Sequence, residues 1–175
     1  ETRSDLGFGT PNNLCFNYTG QSTESYGYSL GGSQPDNVKV NDANRFDFST
    51  ETYTNIPSAL STAVNVASGA ASPQHAHIIG GSQPGGMTNN IEQFEYATET
   101  GSDIPANMPY SSHWMATVSN TQEAFIQGGI KSPGPPFAVS YKARLSFFDG
   151  TVASLPTSLA MAYPGDSQVT NSPFK

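Results

Sequence analysis

Residues 75–81 read His-Ala-His-Ile-Ile-Gly-Gly, a short apolar-alternating run closed by a glycine pair, and the chain repeats the phrase on either side as GYSLGG over 27–32 and AFIQGG over 124–129. The pairs are Gly31-Gly32, Gly80-Gly81 and Gly128-Gly129, 49 and 48 residues apart. Self-similarity at a fixed period of roughly 40–50 residues marks stacked supersecondary units rather than one irregular core. A glycine pair suits the end of such a run, because backbone without Cβ packs closely and turns at φ > 0.

Working outward, the rest of the repeat keeps phase. Each pair is followed by a polar loop and then an aromatic-acidic stretch: RFDFSTET over 45–52, QFEYATET over 93–100 and LSFFDGT over 145–151. A hydrophobe and proline come next, Ile56-Pro57, Ile104-Pro105 and Leu155-Pro156. The first two units share the loop word SQP, whereas the third carries Lys131-Ser132-Pro133-Gly134-Pro135-Pro136. Variation confined to a loop while strands hold register is how repeat folds diverge. The units span approximately 14–57, 62–105 and 111–156, with partial units at 1–13 and 157–175.

Each unit reads as four short strands. In the second these are 63–70, 76–80, 91–97 and a weak last strand at 100–104, separated by Ser/Asn/Gly/Pro clusters. Strands at 14–18, 6–10 and 159–163 complete the flanking units. Period-2 placement puts Phe46 and Phe48 on one face and Asp47 on the other, with Phe94, Glu95 and Tyr96 repeating the pattern, so the rings are expected between sheets. Asp47, Glu95 and Asp149 recur once per unit, and such a carboxylate is expected to accept turn N–H groups.

These residues resemble the kelch-type β-propellers, whose units run as a small apolar strand, a hydrophobic strand ending in a glycine pair, and an aromatic-acidic strand with a following threonine, then a Trp before a proline. The glycine pairs, Phe46-Asp47, Phe94-Glu95, Phe148-Asp149 and the three prolines match that order over 14–163. Tyr53 stands at the Trp position in the first unit and no aromatic does in the others; the arginine before the small strand is missing, and Trp114, the single Trp, is assigned to a different strand. The Ser/Thr/Asn-rich wording, with STET and ATET after the aromatics, is similar to the kelch-like repeats of marine tailed-phage structural proteins. The resemblance implies an all-β propeller, of which 175 residues would hold about three and a half blades, a segment of a longer ring or one of two copies that close a ring together.

Seven basic against fourteen acidic residues give a net charge of −7, which leaves no Lys/Arg patch to displace phosphate counterions, so nucleic acid is not the expected partner. Only 12% of residues are charged, and that neutral polar character suits a virion, secreted or cell-surface protein. There is no 18-residue apolar run, so no membrane insertion is expected. Cys15 is the single cysteine and reads as a small buried hydrophobe. Asn17-Tyr18-Thr19 forms a glycosylation sequon, a three-residue pattern common by chance.

Catalytic readings are weak. His75, His77 and His113 offer three imidazoles but no carboxylate or thiol at a matching spacing, so no metal is expected there. A calcium site would need oxygens converging from Asp36-Asn37 and Asp42-Asn44, without calcium-loop spacing. A kelch oxidase would need a cysteine linked to a tyrosine plus further copper ligands, and no position of Cys15 matches. A sialidase-like site needs an arginine cluster; Arg3, Arg45 and Arg144 are the whole set, and the last two hold similar places in their units. Tyr26, Tyr28, Tyr53, Tyr110 and Phe137 would stack on sugars if exposed, and the loops at Gly85-Gly86 and 133–136 are the longest irregular segments, where binding usually lives. The expected function is therefore a non-enzymatic structural and adhesion module without cofactor. It would sit in a virion appendage, tail or surface assembly, touching other structural proteins, a host-surface glycan or copies of itself. The alternative is a cellular or secreted kelch interaction domain, lectin or enzyme whose functional residues lie in other blades.

Overall fold

The structure, a computed structural model, describes residues 17–132, 138 and 140–156. The strands expected at 6–10 and 159–163, both partial units, Arg3, Cys15, Phe137 and the 133–136 loop lie outside them. The described chain is all-β apart from one 3-10 turn at Pro35–Asn37. Three four-stranded antiparallel sheets follow one another along the sequence.

The first sheet is β1 (Thr19–Ser22), β2 (Tyr26–Leu30), β3 (Ala43–Asp47) and β4 (Thr52–Ile56), paired in chain order. The second contains β5 (Ser68–Ala71) and β6 (His75–Ile79), then a two-stranded excursion of β7 (Ser82–Gln83) and β8 (Gly86–Met87), then β9 (Asn90–Glu95) and β10 (Thr100–Asn107). After β11 (Ser111–His113), the third comprises β12 (Ala116–Ser119), β13 (Glu123–Gln127), β15 (Lys142–Ser146) and β16 (Val152–Ser154), with β14 (Ile130–Ser132) pairing back to β11.

Each sheet is hydrophobic on the faces that meet, and alternation along β6 divides the core. Ala76 and Ile78 join Tyr28, Leu30, Ala43 and Phe94 between the first two sheets. Ile79 joins Ile91, Met115, Ile126 and Leu145 between the second and third. The middle sheet is thus buried on both faces, as a parallel-like apolar run in an antiparallel sheet requires. The first strands of the three sheets also meet, β5 touching both β1 and β12.

The first strands lie later than the sequence suggests. The second begins at Ser68, five residues into the expected 63–70, and the first at Thr19, just past the expected 14–18, of which only residues 17 and 18 are described. The cause is a left-handed residue just before each: Asn17 (φ 58°), Val66 (φ 50°) and Trp114 (φ 52°) stand at one repeat position. The Val66 N–H donates to the Asn17 carbonyl and the Trp114 N–H to the Val66 carbonyl, so these residues bond from sheet to sheet before extending. Trp114 accordingly sits in a bend, outside any strand.

Register also moves the third aromatic-acidic pair. Gly27↔Phe46 and Ala76↔Phe94 correspond to Ala124↔Leu145, so Leu145-Ser146, not Phe148-Asp149, takes the place of Phe46-Asp47 and Phe94-Glu95. Phe148 falls in the following turn and is 99% exposed, while Phe147 packs inward. Burial of the rings is likewise uneven in the first sheet, where Phe48 lies past the strand end and is exposed. The last strand of the second unit is longer than expected, reaching Asn107 through an irregularity between Asp103 and Asn107. The Gly85-Gly86 segment is a tight β7–β8 hairpin instead of an irregular loop.

Candidate functional site

The glycine pairs fasten one sheet to the next. All three share a conformation, with φ of 66° and 107°, 61° and 98°, and 68° and 98°. The first glycine N–H stays within its own unit, donating to the Asp42, Asn90 and Tyr141 carbonyls, and the second reaches the next unit, from Gly32 to Val64 O at 2.7 Å and from Gly81 to Ser112 O at 2.8 Å. A Cβ on Gly31 would stand 2.5 Å from the Val64 carbonyl, and on Gly80 it would meet the Ser112 carbonyl and the Met115 methyl. The two carbonyl contacts are backbone, so a rotamer change cannot relieve them, unlike the contact with the Met115 methyl.

The recurring carboxylates hold hairpin turns. Asp47 Oδ1 accepts from the Ser49 N–H, the Ser49 hydroxyl and the Thr50 N–H; Glu95 Oε2 accepts from the Thr98 hydroxyl. Asp149, from inside its turn, accepts from the N–H and hydroxyl of Thr151. These bonds hold the Asp47 and Asp149 carboxyls below the usual range, led by the Ser49 and Ser146 side chains respectively. Each turn passes through a left-handed residue at the same place, Glu51, Glu99 and Gly150. Pro57 and Pro156 lie just past the fourth strands, whereas Pro105 is inside β10 at its irregularity, where an edge strand tolerates a missing N–H.

Titratable groups not anticipated from sequence lie at the seam of the first two sheets. Arg45 Nη1 meets Glu99 Oε1 at 2.6 Å, the Tyr28 hydroxyl donates to the same oxygen at 3.3 Å, and the guanidinium lies over the Tyr26 ring. Burial, reinforced by Glu99, pushes the Tyr28 phenol up to about 12, and burial raises Tyr96 as well. Arg45 and Arg144 do share a register position, opposite Tyr28 and Phe125. The signal for Glu99 was present in the words STET and ATET, where a glutamate recurs. The buried Glu92 had no such signal; burial raises its carboxyl although Oε1 accepts the Ser61 N–H. It borders a small cleft with Gly80, Asn90 and Asp103 whose volume of about 10 Å³ is room for roughly one water molecule.

The histidines do not converge. His77 is buried and stacks on Phe147 with ring centroids 4.6 Å apart, and burial holds it neutral, its pKa down to about 3. His75 is 6.3 Å from it, and His113 belongs to β11 beside Trp114. Among the described residues no group of three or more His, Cys, Asp or Glu side chains is placed to hold a metal ion, the Asp36 and Asp42 loop included; Asp42 instead accepts the Ser58 N–H.

What the fold does gather is aromatic surface at the end where the glycine pairs lie. The pairings Thr19↔Leu30, Ser68↔Ile79 and Ala116↔Gln127 start every first strand there, and β7, β8, β11 and β14 extend beyond it. Tyr18, Tyr110 and Trp114 are each 44–49% exposed at this end. Tyr110 is braced edge-on by Tyr141 at 5.8 Å and carries the Lys131 ammonium over its face at 5.3 Å. Trp114 leans on His113 at 4.6 Å. Tyr26 and Tyr28, by contrast, pack into the core.

No family model and no curated protein matches this chain. Among solved structures, one titled "Structure of YjhT" is similar with a TM-score of 0.71 at 13% identity, covering 87% of this chain and 55% of that one. The chain therefore spans a little over half the length of that structure, and the likeness is one of fold.

Proposed function

We propose that the three sheets are blades of a kelch-like β-propeller and that the chain serves as a structural and adhesive contact module in a virion appendage, tail or surface assembly. The propeller reading is supported by the identical glycine-pair geometry in each unit and by the β-propeller-like fold of the similar structure. The virion setting rests on the wording of the repeats. The observation that carries the contact role is the set of half-exposed rings, Tyr18, Tyr110 and Trp114, each immediately beside a strand terminus at one end. Aromatic side chains combine a large apolar face with little conformational entropy to lose, which suits stacking on sugar rings or partner chains.

A glycan array probed with the full chain tests this. Binding to a defined glycan class that falls at least fivefold in Tyr110→Ala and Trp114→Ala, and is unchanged in Phe148→Ala at the opposite end, is the expected result. Absence of binding across the array, or equal loss in Phe148→Ala, would remove the glycan-contact reading.

A further inference from the structure

The register that relates the three sheets also specifies what fits the two outer sheet faces that have no neighbouring sheet among the described residues. At the seam between the first and second sheets, Tyr28 packs on Phe94 at 5.5 Å and on Tyr96 at 5.3 Å, and Arg45 pairs with Glu99. At the next seam the same positions are His77, stacked on Phe147, with Gln93 and Gly150 in place of the charged pair. The arginine and the glutamate are thus lost together. On the far face of the third sheet the corresponding residues are Phe125 and Arg144, both more than a third exposed. On the near face of the first sheet they are Phe46, Phe48 and Glu51, with Phe48 lying exposed over Gly27.

We propose that these two faces dock on each other between copies of this chain, the third sheet of one against the first sheet of the next. Phe125 then packs on Phe48 of the second copy as Tyr28 does on Tyr96, and Arg144 exchanges its contact with Glu123 of its own sheet, 3.4 Å long, for Glu51 of the neighbour. The charge pattern favours a second copy over an unrelated partner. Arg45 meets Glu99, and where Gln93 replaces the arginine the register places Gly150 instead of a glutamate, so a cyclic reading that set Arg144 against Glu51 would keep the rule that arginine and glutamate occur together. Two copies bring six described sheets together, inside the range of about four to eight blades in which rings close. Ring closure rests on the propeller reading; the pairwise contact rests on register alone.

The test is the native mass of the 175-residue chain from 1 to 100 µM, with Arg144→Glu, Glu51→Arg and the double reversal, folding being checked by circular dichroism. The expected result is an assembly of two or more copies whose dissociation constant rises at least tenfold in each single reversal and returns to within threefold of the parent in the double. A single-chain mass at 100 µM, an assembly indifferent to both reversals, or a double that does not recover would overturn the contact. Should a reversal not fold, the pair Phe125→Cys and Phe48→Cys decides. Oxidation yields inter-chain disulfides mapping to those two positions if the faces meet, and none if they do not. Glycan binding is scored separately, so loss of one reading leaves the other standing.

Discussion

Gly80 concentrates the constraints of the repeat in one residue. Its φ of 61° is costly for an L side chain, and an added methyl would run into the Ser112 carbonyl across the sheet seam. Gly80→Ala is therefore expected to lower unfolding free energy by about 2–4 kcal/mol in urea titration. Gly85→Ala, whose Cβ would meet nothing within 4 Å, should stay within about 0.5 kcal/mol of the parent. Equal effects would mean that the pair does not fasten the sheets. Val66 is the converse case, a β-branched residue at φ 50° where the first unit has Asn17. Asparagine tolerates the left-handed region, so Val66→Asn should raise stability by about 1 kcal/mol in thermal unfolding. A lower melting temperature would show that the valine side chain contributes more than its backbone costs. The glycines were legible because glycine announces φ > 0; Val66 and Trp114 were not, because nothing in their chemistry favours that conformation and only the inter-sheet bonds impose it.

At the scale of single strands, β6 is buried on both faces and includes a histidine. His77 stays neutral in the folded protein down to a pKa of about 3, while in the unfolded chain it titrates near 6.5. Below pH 6.5 the unfolded state therefore binds a proton that the folded state refuses, and stability falls as pH falls toward 3, with a slope of up to about 1.4 kcal/mol per pH unit from this group. Asp47 and Asp149, held below the usual range, add losses of the same sign at lower pH, and Glu92, raised by burial, opposes them. Those terms cancel when the parent is compared with His77→Phe, which keeps the ring against Phe147. The difference in stability between the two should grow as pH drops from 7 to 4 in urea unfolding. A constant difference would mean that His77 is protonated in place. Strand positions themselves were readable from the alternation of residues 76–80 and 91–97 to within two residues. The third unit misled because its aromatic-acidic pair, Phe148-Asp149, stands three residues beyond the matching strand position, which holds Leu145-Ser146. Only the pairing of Ala124 with Leu145 distinguishes the strand from its turn. The seam residues Arg45 and Glu99 are 54 apart in sequence, and no local pattern signals that they meet.

For the molecule as a whole, the arrangement is a row in which each sheet is stabilised mainly by its neighbours, so the seams and not the sheets set where it opens. Phe94 is fully buried in the first seam, and Leu145 is fully buried in the second. Removing either side chain should cost about 2–5 kcal/mol, but in different places. By hydrogen exchange, Phe94→Ala should deprotect β2 and β3 while β13 and β15 keep their protection, because the second seam remains intact. Leu145→Ala should do the reverse. Uniform loss across all three sheets in both variants would instead describe one cooperative unit. Concentration then separates an open row from a ring. In a row the end sheets have one seam each, and the asymmetry persists at every concentration. If the third sheet of one copy covers the first sheet of another, each end sheet gains a second seam, and the asymmetry should shrink as copies associate. Exchange at 1 and 100 µM with the Arg144→Glu variant beside the parent reads this directly, since only the parent should lose its asymmetry on concentration.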